Sequence, residues 1–445
     1  QKADTVGVFQ IESRAQMSLL PRLKPKCFYD LVVEVAIVRP GPLQGGMVHP
    51  YIRRRHGQEK VEYAHPDLVP ILEKTFGVPI FQEQVMQIAS SVCGFSPGEA
   101  DELRRIMSSS WKKRDLMKGL RQRILNGMLE HGIAMEYAEK IYQTIVGFSS
   151  YGFPESHAAS FALLTYASCY IKQHHPDLFV CSLLNSQPMG FYSPRALIDD
   201  AKRHGVRFFD VCIQSSDWDC KPSVHKPLAL RLGFNSLYGV PKQEVLKMLE
   251  ERQRHGAFKD LKDLVRRCPF LRRQTLLKFA TAGALKSFQM EPRLAAWKIM
   301  SLNINPQSLF FTQSEEGHSQ QLLPHEGDWD FIEREYQSKG FSIHRHPMDL
   351  FRKQLDQERP RSLRAKDLER TPGGRNLSIA GLLALHQRPP TAKGFSFLTM
   401  EDETGSFNVI LTPDIYEKYR LDLVFYPLLK IHGRIEKKSG VIHIK

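Results

Sequence analysis

The chain has 445 residues, 42% of them apolar and 25% charged, which is typical of a globular protein of roughly three domains. Its formal net charge of +14 favours a polyanionic partner, and we expect no membrane partner, because no apolar run is long enough to span a bilayer and no signal peptide is recognisable. The seven cysteines form no CxxC pair and no zinc-spaced cluster with histidine, so we expect a cytoplasmic protein with free thiols and no structural metal.

The hydrophobic periodicity divides the chain into four regions. Residues 1–222 contain repeated amphipathic segments separated by Gly and Pro, and they predict one large helical domain. Residues 223–288 predict two short helical hairpins in tandem, and residues 289–375 predict further helix and a basic linker. Residues 376–445 change to a period of two and predict a small five-stranded Greek-key barrel. The fold class is therefore multidomain and mainly α, with an all-β domain at the end that we expect to be truncated.

The basic groups of the helical domain are the first candidates for binding. Arg39 follows an apolar run and precedes a Pro-Gly-Pro turn. Such an arginine suits forked contacts with phosphate or carboxylate, and it equally suits capping of helix carbonyls. A second group, Arg104, Arg105, Lys112, Lys113 and Arg114, lies in a stretch with few acids. This excess of positive charge favours a phosphate-contacting surface over an ordinary solvated helix face.

The segment YGFPESHAASFALL, residues 151–164, places polar residues at the start of an apolar helix. Pro154 fits the first turn, and Ser156 and His157 would lie beside free backbone N–H groups that attract anions. The apolar residues that follow predict a buried helix. A plain helix cap explains the same residues, and without further context it is the simpler interpretation.

Two further features concern nucleic acid. Gly239 and Gly283 occupy glycine-containing turns whose backbone N–H groups can approach a phosphate. Phe395 and Phe397 lie on or beside candidate strands of the barrel, where they either stack on unpaired bases or fill the core. The sequence contains no zinc-hydrolase spacing and no strand-borne pair of aspartates, so we assign no catalytic residue and no metal ligand.

Six strings resemble bacterial C-family DNA polymerases, the DNA polymerase III alpha group, in the right order over nearly the whole chain. They are GVFQIESRAQ, RPGPLQGGM, FQEQVMQIA, GEADELRRIM, YGFPESHAASFALL and TAGAL. The chain is most similar to the error-prone, ImuC-type branch, because Pro154 and Glu155 stand where the replicative branch typically has Asn-Lys. QSLFF, residues 307–311, is only a degenerate match to the clamp-binding motif.

The resemblance implies a nucleotide-binding role for five residues within a fingers domain that is followed by helix-hairpin-helix and OB-fold domains. Ser156 and His157 match positions near the sugar of the incoming deoxynucleotide, where they would help to exclude a ribose. Arg39 matches an arginine at the nucleotide or primer terminus. Arg104 and Arg105 match a basic helix near the triphosphate and template.

The resemblance also implies what this chain lacks. The catalytic Mg²⁺ ions would be held by palm carboxylates upstream of Gln1, so we expect the chain to bind dNTP, primer-template and single-stranded DNA without polymerising. The expected role is translesion synthesis during SOS mutagenesis. The expected partner is an ImuB-type, Y-family-like protein that provides indirect access to the sliding clamp. A replicative alpha-subunit fragment and a non-catalytic DNA-binding scaffold stay open as alternatives.

Overall fold

The computed structural model describes residues 2–39, 42, 46–108, 114–148, 153–189, 192–223, 227–302, 326–389, 392, 394–438 and 441–445. It divides into two compact units, Gln1–Tyr170 and Ile171–Lys445, and each unit is considered by itself. No helix within these described ranges is both long and apolar enough to cross a bilayer.

The first unit is helical, as predicted. Its helices, in chain order, are α1 (Arg14–Leu23), α2 (Phe28–Ile37), α3 (Val48–Arg55), α4 (Val69–Leu72), α5 (Gln82–Val92), α6 (Pro97–Ser108), α7 (Arg114–Glu130), α8 (Met135–Phe148) and α9 (Glu155–His174). Helix α2 is central to the core, and every residue from Val32 to Ile37 is buried. Ser13 and Gln16 form a capping box that fixes the start of α1.

Two acidic residues of α2 have opposite environments. Asp30 accepts hydrogen bonds from Arg55 Nη2 at 2.7 Å and from the backbone N–H groups of Lys26 and Cys27. Burial opposes its charge, but these bonds outweigh burial and hold the pKa of Asp30 below its usual value. Glu34 is fully buried, neither of its carboxyl oxygens has a hydrogen-bond partner among the described residues, and burial raises its pKa to about 8.

Helix α9 differs from its prediction as a buried helix. Leu163, Leu164, Tyr166 and Tyr170 are 52–60% exposed in this structure. The packed side consists of small residues at helical spacing, Ala158, Ala162 and Thr165, all with 0% exposure. Small side chains allow a close approach of the helix backbone to its neighbours, so the larger apolar residues of α9 face outward. The prediction of burial was therefore wrong for the larger side chains.

The second unit begins with helices and a small sheet. Its elements are α10 (Pro176–Asn185), α11 (Pro194–Arg203), β1 (Arg207–Phe209), β2 (Lys221–Pro222), β3 (Ala229–Arg231), α12 (Lys242–His255), α13 (Leu261–Arg267), α14 (Arg273–Thr281), α15 (Pro292–Ser301), α16 (Asp328–Lys339) and α17 (Pro347–Gln357). The sheet has the order β1-β3-β2, and β1 pairs with β3 in parallel. The two predicted hairpin turns lie at Gly239, before α12, and at Gly283, after α14, and we call them the first and the second hairpin.

The last strands form a closed five-stranded barrel, which confirms the predicted fold class. The strands are β4 (Asn376–Gln387), β5 (Ser396–Asp402), β6 (Gly405–Leu411), β7 (Leu428–Lys438) and β8 (Val441–Ile444), with helix α18 (Pro413–Phe425) between β6 and β7. Their order is β4-β5-β6-β8-β7, and the parallel pairing of β6 with β8 closes the barrel. Inward side chains include Leu398, Met400, Phe407, Val409 and Ile435.

The barrel is attached to the rest of the second unit by acidic side chains at the end of β5 and in the turn between β5 and β6. Glu401 lies 3.1 Å from Arg195 of α11, and Glu403 lies 2.7 Å from Arg352 of α17. The predicted linker also contributes to the barrel itself, because Ala365 and Leu368 are part of its hydrophobic core. Ion pairs connect the barrel to α11 and α17, and Met348 and Leu355 of α17 also pack with Ala380 of β4.

Candidate functional site

Arg39 is fixed at the end of α2 by three contacts. Its Nε donates to the carbonyl of Val35 at 3.3 Å, and its Nη2 donates to Gln10 Oε1 at 2.7 Å. The guanidinium group also lies over the ring of Phe153, 4.7 Å from the ring centre. A cation over an aromatic face is attracted by the ring quadrupole, so all three contacts restrict the orientation of the guanidinium group.

A series of aromatic rings connects Arg39 to His157. The ring of His157 lies 5.2 Å from that of Phe153 and 4.1 Å from that of Phe161, while Phe161 packs edge-on against Phe9 at 5.2 Å. Arg39 and His157 therefore share Phe153 as a neighbour, although they are more than one hundred positions apart in the sequence. His157 and Ser156 are exposed, and Arg39 is half-buried. We call Arg39, Phe153, His157 and Phe161 the ring wall.

A carboxylate from α5 is bound at the first turn of α9. Glu83 Oε2 accepts a hydrogen bond from the backbone N–H of Glu155 at 2.9 Å. Glu155 in turn accepts a hydrogen bond from the Tyr29 hydroxyl at 2.7 Å, and burial together with this bond raises the pKa of Tyr29. Two negative side chains next to this turn repel a phosphate, so the helix start cannot serve as a simple anion site.

Sequence reasoning assigned no role to Gln10, Glu83, Tyr29 and Phe153. Gln10 and Glu83 lie within the strings GVFQIESRAQ and FQEQVMQIA, so they were visible as part of the resemblance. Their partners are 29 and 72 positions away in sequence. Local sequence patterns cover only a few residues, so they do not reveal contacts between residues this far apart in the chain. These contacts are seen only in the folded chain.

The predicted basic helix surface is partly neutralised. Arg104 Nε and Arg105 Nη2 both contact Asp101, at 2.8 and 3.0 Å, so these two residues converge on one carboxylate. Exposed pairs of this kind are weak and can be exchanged for contacts with phosphate. Lys112 and Lys113 lie outside the described residues, as does the side chain of Arg114.

The first hairpin places a glycine turn before a helix start that no side chain caps. Gly239 has a φ of +64° in the turn before α12, and its carbonyl accepts a hydrogen bond from Lys278 Nζ. Helix α12 begins after Pro241, and no side-chain hydrogen bond caps its first turn. A turn without a side chain, followed by an uncapped helix start and beside a lysine, can receive a phosphate through backbone N–H groups.

The start of α14 is occupied by an internal carboxylate. Glu244 of α12 accepts hydrogen bonds from Arg272 N at 3.3 Å, Arg272 Nε at 2.6 Å and Thr275 Oγ1 at 2.7 Å, all at the start of α14. Burial opposes the charge of Glu244, but these donors outweigh it and lower its pKa. The carboxylate occupies the place that a phosphate would take at this helix start.

Gly283 is a helix cap in this structure. It has a φ of +74° directly after α14, and its N–H donates to the carbonyl of Ala280 at 2.9 Å. The next N–H, of Ala284, donates to Phe279 O at 2.9 Å. These paired bonds are those of a Schellman motif, so the Gly283 N–H is engaged within the chain and is not open to a phosphate.

The two predicted barrel phenylalanines lie outside the core. In β5, the side chains of Leu398 and Met400 are buried, and Phe397 is on the opposite, outer face, half-buried. Phe395 precedes the strand and is also half-buried. Elsewhere in the same domain, the guanidinium group of Arg388 stacks on the ring of Tyr416, 4.3 Å from the ring centre.

Among the described residues of the second unit there is one cluster of potential metal ligands. Carboxyl and ring atoms of Asp210, Glu335 and His344 lie within 4.8 Å of one another. Lys339 Nζ is already bound there, 2.8 Å from Asp210 Oδ1 and 2.7 Å from Glu335 Oε1. The ammonium group supplies the positive charge that a metal ion would supply, and this cluster therefore does not fit Mg²⁺.

Comparison with known proteins identifies two regions of the chain. Residues 1–132 match the family model for the bacterial DNA polymerase III alpha subunit finger domain, and residues 205–295 match the helix-hairpin-helix motif. The whole chain is 49% identical to an error-prone DNA polymerase of Bdellovibrio bacteriovorus and 46% identical to one of Pseudomonas fluorescens strain Pf0-1. It is 44% identical to an error-prone DNA polymerase of Anaeromyxobacter dehalogenans strain 2CP-C.

The chain is thus similar over its whole length to part of bacterial error-prone DNA polymerases, and its residues 1–132 match the finger domain of the DNA polymerase III alpha subunit. It spans 43% of the length of the Bdellovibrio and Pseudomonas relatives and 40% of the Anaeromyxobacter relative. The finger-domain match covers Gln10, Arg39 and Glu83, and the helix-hairpin-helix match covers Gly239, Glu244 and Gly283. The family resemblance expected from the sequence is thereby confirmed.

Proposed function

We propose that this chain is the fingers, helix-hairpin-helix and OB-fold part of an error-prone, translesion DNA polymerase. In this proposal the ring wall and Ser156 contact the incoming deoxynucleotide. The observation that carries the proposal is the shared contact of Arg39 and His157 with Phe153. Two residues from distant strings, both assigned to the nucleotide by the resemblance, are neighbours through one ring.

The electrostatics of the ring wall suggest how a nucleotide lies against it. The carboxylates of Glu83 and Glu155 disfavour a triphosphate at the first turn of α9. Arg39, held by a carbonyl, an amide and a ring, keeps its charge available for a phosphate oxygen. The exposed side chains of Ser156 and His157 are then closest to the sugar, where they exclude a ribose 2′-OH.

DNA contacts are proposed for the first hairpin, the basic helix and the barrel. The turn at Gly239 suits a backbone phosphate, while the Gly283 N–H of the second hairpin is engaged in a helix cap. Arg104 and Arg105, each sharing Asp101, become available to the triphosphate or template when that pair opens. Phe397 and Phe395 are proposed to stack on single-stranded template bases.

The reaction needs groups from outside this chain. We propose that palm carboxylates elsewhere in the whole polymerase would hold Mg²⁺, which would supply activation of the primer 3′-OH and stabilisation of the leaving group. The proposed partner is an ImuB-type protein that links the polymerase to the sliding clamp, and the proposed setting is the bacterial cytoplasm. QSLFF, the degenerate clamp motif at 307–311, lies outside the described residues.

Primer extension by the whole polymerase tests this proposal. Arg39→Ala is expected to lower incorporation efficiency about a hundredfold, as for a charged contact with the reacting nucleotide. Arg53→Ala is the matched control, because Arg53 pairs with Glu59 on the surface of the same unit. Equal incorporation by wild type and Arg39→Ala would contradict the proposed site and favour a DNA-binding scaffold.

A further inference from the structure

We propose that Gln10 is a positioning residue that holds the Arg39 guanidinium group on the ring wall. The inference rests on the proposed function of Arg39 and adds a residue to it. Gln10 Oε1 accepts the hydrogen bond of Arg39 Nη2 at 2.7 Å. It is the side-chain hydrogen bond that connects Arg39 to the segment before α1.

The backbone of Gln10 is held in an unusual conformation. Its φ is +63°, in the left-handed region that disfavours residues with a long side chain. Contacts on both sides maintain this conformation. The Gln10 carbonyl accepts a hydrogen bond from Gln16 Nε2, and the preceding carbonyl, of Phe9, accepts one from Thr165 Oγ1 at 2.9 Å. A strained residue that its surroundings hold in place is characteristic of sites that need a fixed geometry.

The chemistry of the contact also suits an arginine that must bind an anion. Among the described residues no carboxylate pairs with Arg39, whereas Arg55 pairs with Asp30 and Arg104 with Asp101. An amide oxygen can orient a guanidinium group without neutralising its charge. Gln10 thus fixes the direction of Arg39 and leaves its charge for the substrate.

Phe9 links this contact to the other end of the ring wall. Its ring packs edge-on against Phe161, which is itself in contact with His157. Residues 9 and 10 therefore contact the ring wall at Phe161 and at Arg39 respectively. The distance between Arg39 and His157 therefore depends on the position of the short segment that carries Phe9 and Gln10.

The test is a double-mutant cycle in the whole polymerase with Gln10→Ala, Arg39→Ala and the combined variant, measuring dNTP incorporation. Gln10→Ala is expected to raise the KM for dNTP about tenfold, the effect of losing one hydrogen bond to a charged group. In the Arg39→Ala background, the same substitution is expected to change kcat/KM by less than about twofold. The Kd for primer-template should not change in Gln10→Ala.

Gln10→Asn is the matched variant, because asparagine accepts the left-handed conformation but is one methylene too short to reach Arg39. It should reproduce the KM effect of Gln10→Ala. Normal KM values in both Gln10 variants, or an effect that adds fully to that of Arg39→Ala, would overturn the inference while the proposed function stands. If Arg39→Ala itself incorporates normally, the proposed function fails, and the inference fails with it.

Discussion

Glu83 Oε2 lies 2.9 Å from the backbone nitrogen of Glu155, so a side chain from α5 caps the first turn of α9. The backbone N–H of Gln82, at the start of α5, in turn donates to the carbonyl of Phe153 at 3.3 Å. These reciprocal bonds fix the segment that carries Phe153 and His157 against α5. The position of the ring wall therefore depends on this connection between two helix starts.

Removing the cap should destabilise the first unit. Glu83→Ala is expected to lower the free energy of unfolding by about 1 kcal/mol, as for the loss of a helix N-cap. Glu102→Ala is the control, because Glu102 is an exposed residue within α6. Urea unfolding of both variants makes the comparison, and an equal effect of the two substitutions would show that Glu83 is not a cap.

Glu34 should make stability depend on pH. Its pKa is about 8 in the folded chain and near 4.5 when unfolded, so the stabilising contribution is complete below pH 4.5 and is lost as pH rises through 8. Leucine does not titrate. The advantage of Glu34→Leu over wild type should therefore grow between pH 5 and pH 8, by at most about 1.4 kcal/mol per pH unit. Denaturant unfolding at several pH values measures it, and a gain independent of pH would contradict the burial of an unpaired carboxyl group.

The two hairpin glycines should respond differently to the same substitution. Gly239→Asp places a negative charge at an open turn and is expected to weaken binding to primer-template about tenfold, with a shallower salt dependence. Gly283→Asp should lower stability but leave the DNA affinity of the folded protein unchanged, because the Gly283 N–H is engaged in a helix cap. Fluorescence anisotropy at two salt concentrations distinguishes them. Equal losses of affinity would contradict the assignment of the phosphate site to the first hairpin.

Two barrel phenylalanines provide a second matched pair. Phe397→Ala is expected to weaken binding of single-stranded DNA by about 1–3 kcal/mol through the loss of stacking. Phe407 is in the barrel core with 4% exposure, so Phe407→Ala should instead lower stability by about 3–5 kcal/mol. Affinity and unfolding measurements on both variants test this separation. A normal affinity in Phe397→Ala would remove the outer face of β5 from the proposed DNA path.

The sequence predicted the elements better than it predicted their contacts. Period-two alternation was sufficient for the barrel, and the resemblance was sufficient to expect both Arg39 and His157 at the nucleotide. The burial of α9 was predicted wrongly because overall apolarity does not reveal that Ala158, Ala162 and Thr165 form the packed face. A glycine after a helix looks the same in sequence whether it caps the helix or opens a hairpin, which is why Gly283 was not distinguished from Gly239. The bonds of Gln10 and Glu83 join distant segments and have no local signature.

The most direct test of the ring wall is the sugar selectivity of the whole polymerase with His157→Ala. Single-nucleotide incorporation of a dNTP and of the matching ribonucleotide gives the discrimination factor, and His131→Ala, an exposed histidine of the same unit, is the control. Discrimination against the ribonucleotide is expected to fall at least about tenfold in His157→Ala, because a side chain beside the sugar is lost. Wild-type discrimination together with wild-type dNTP incorporation would contradict it.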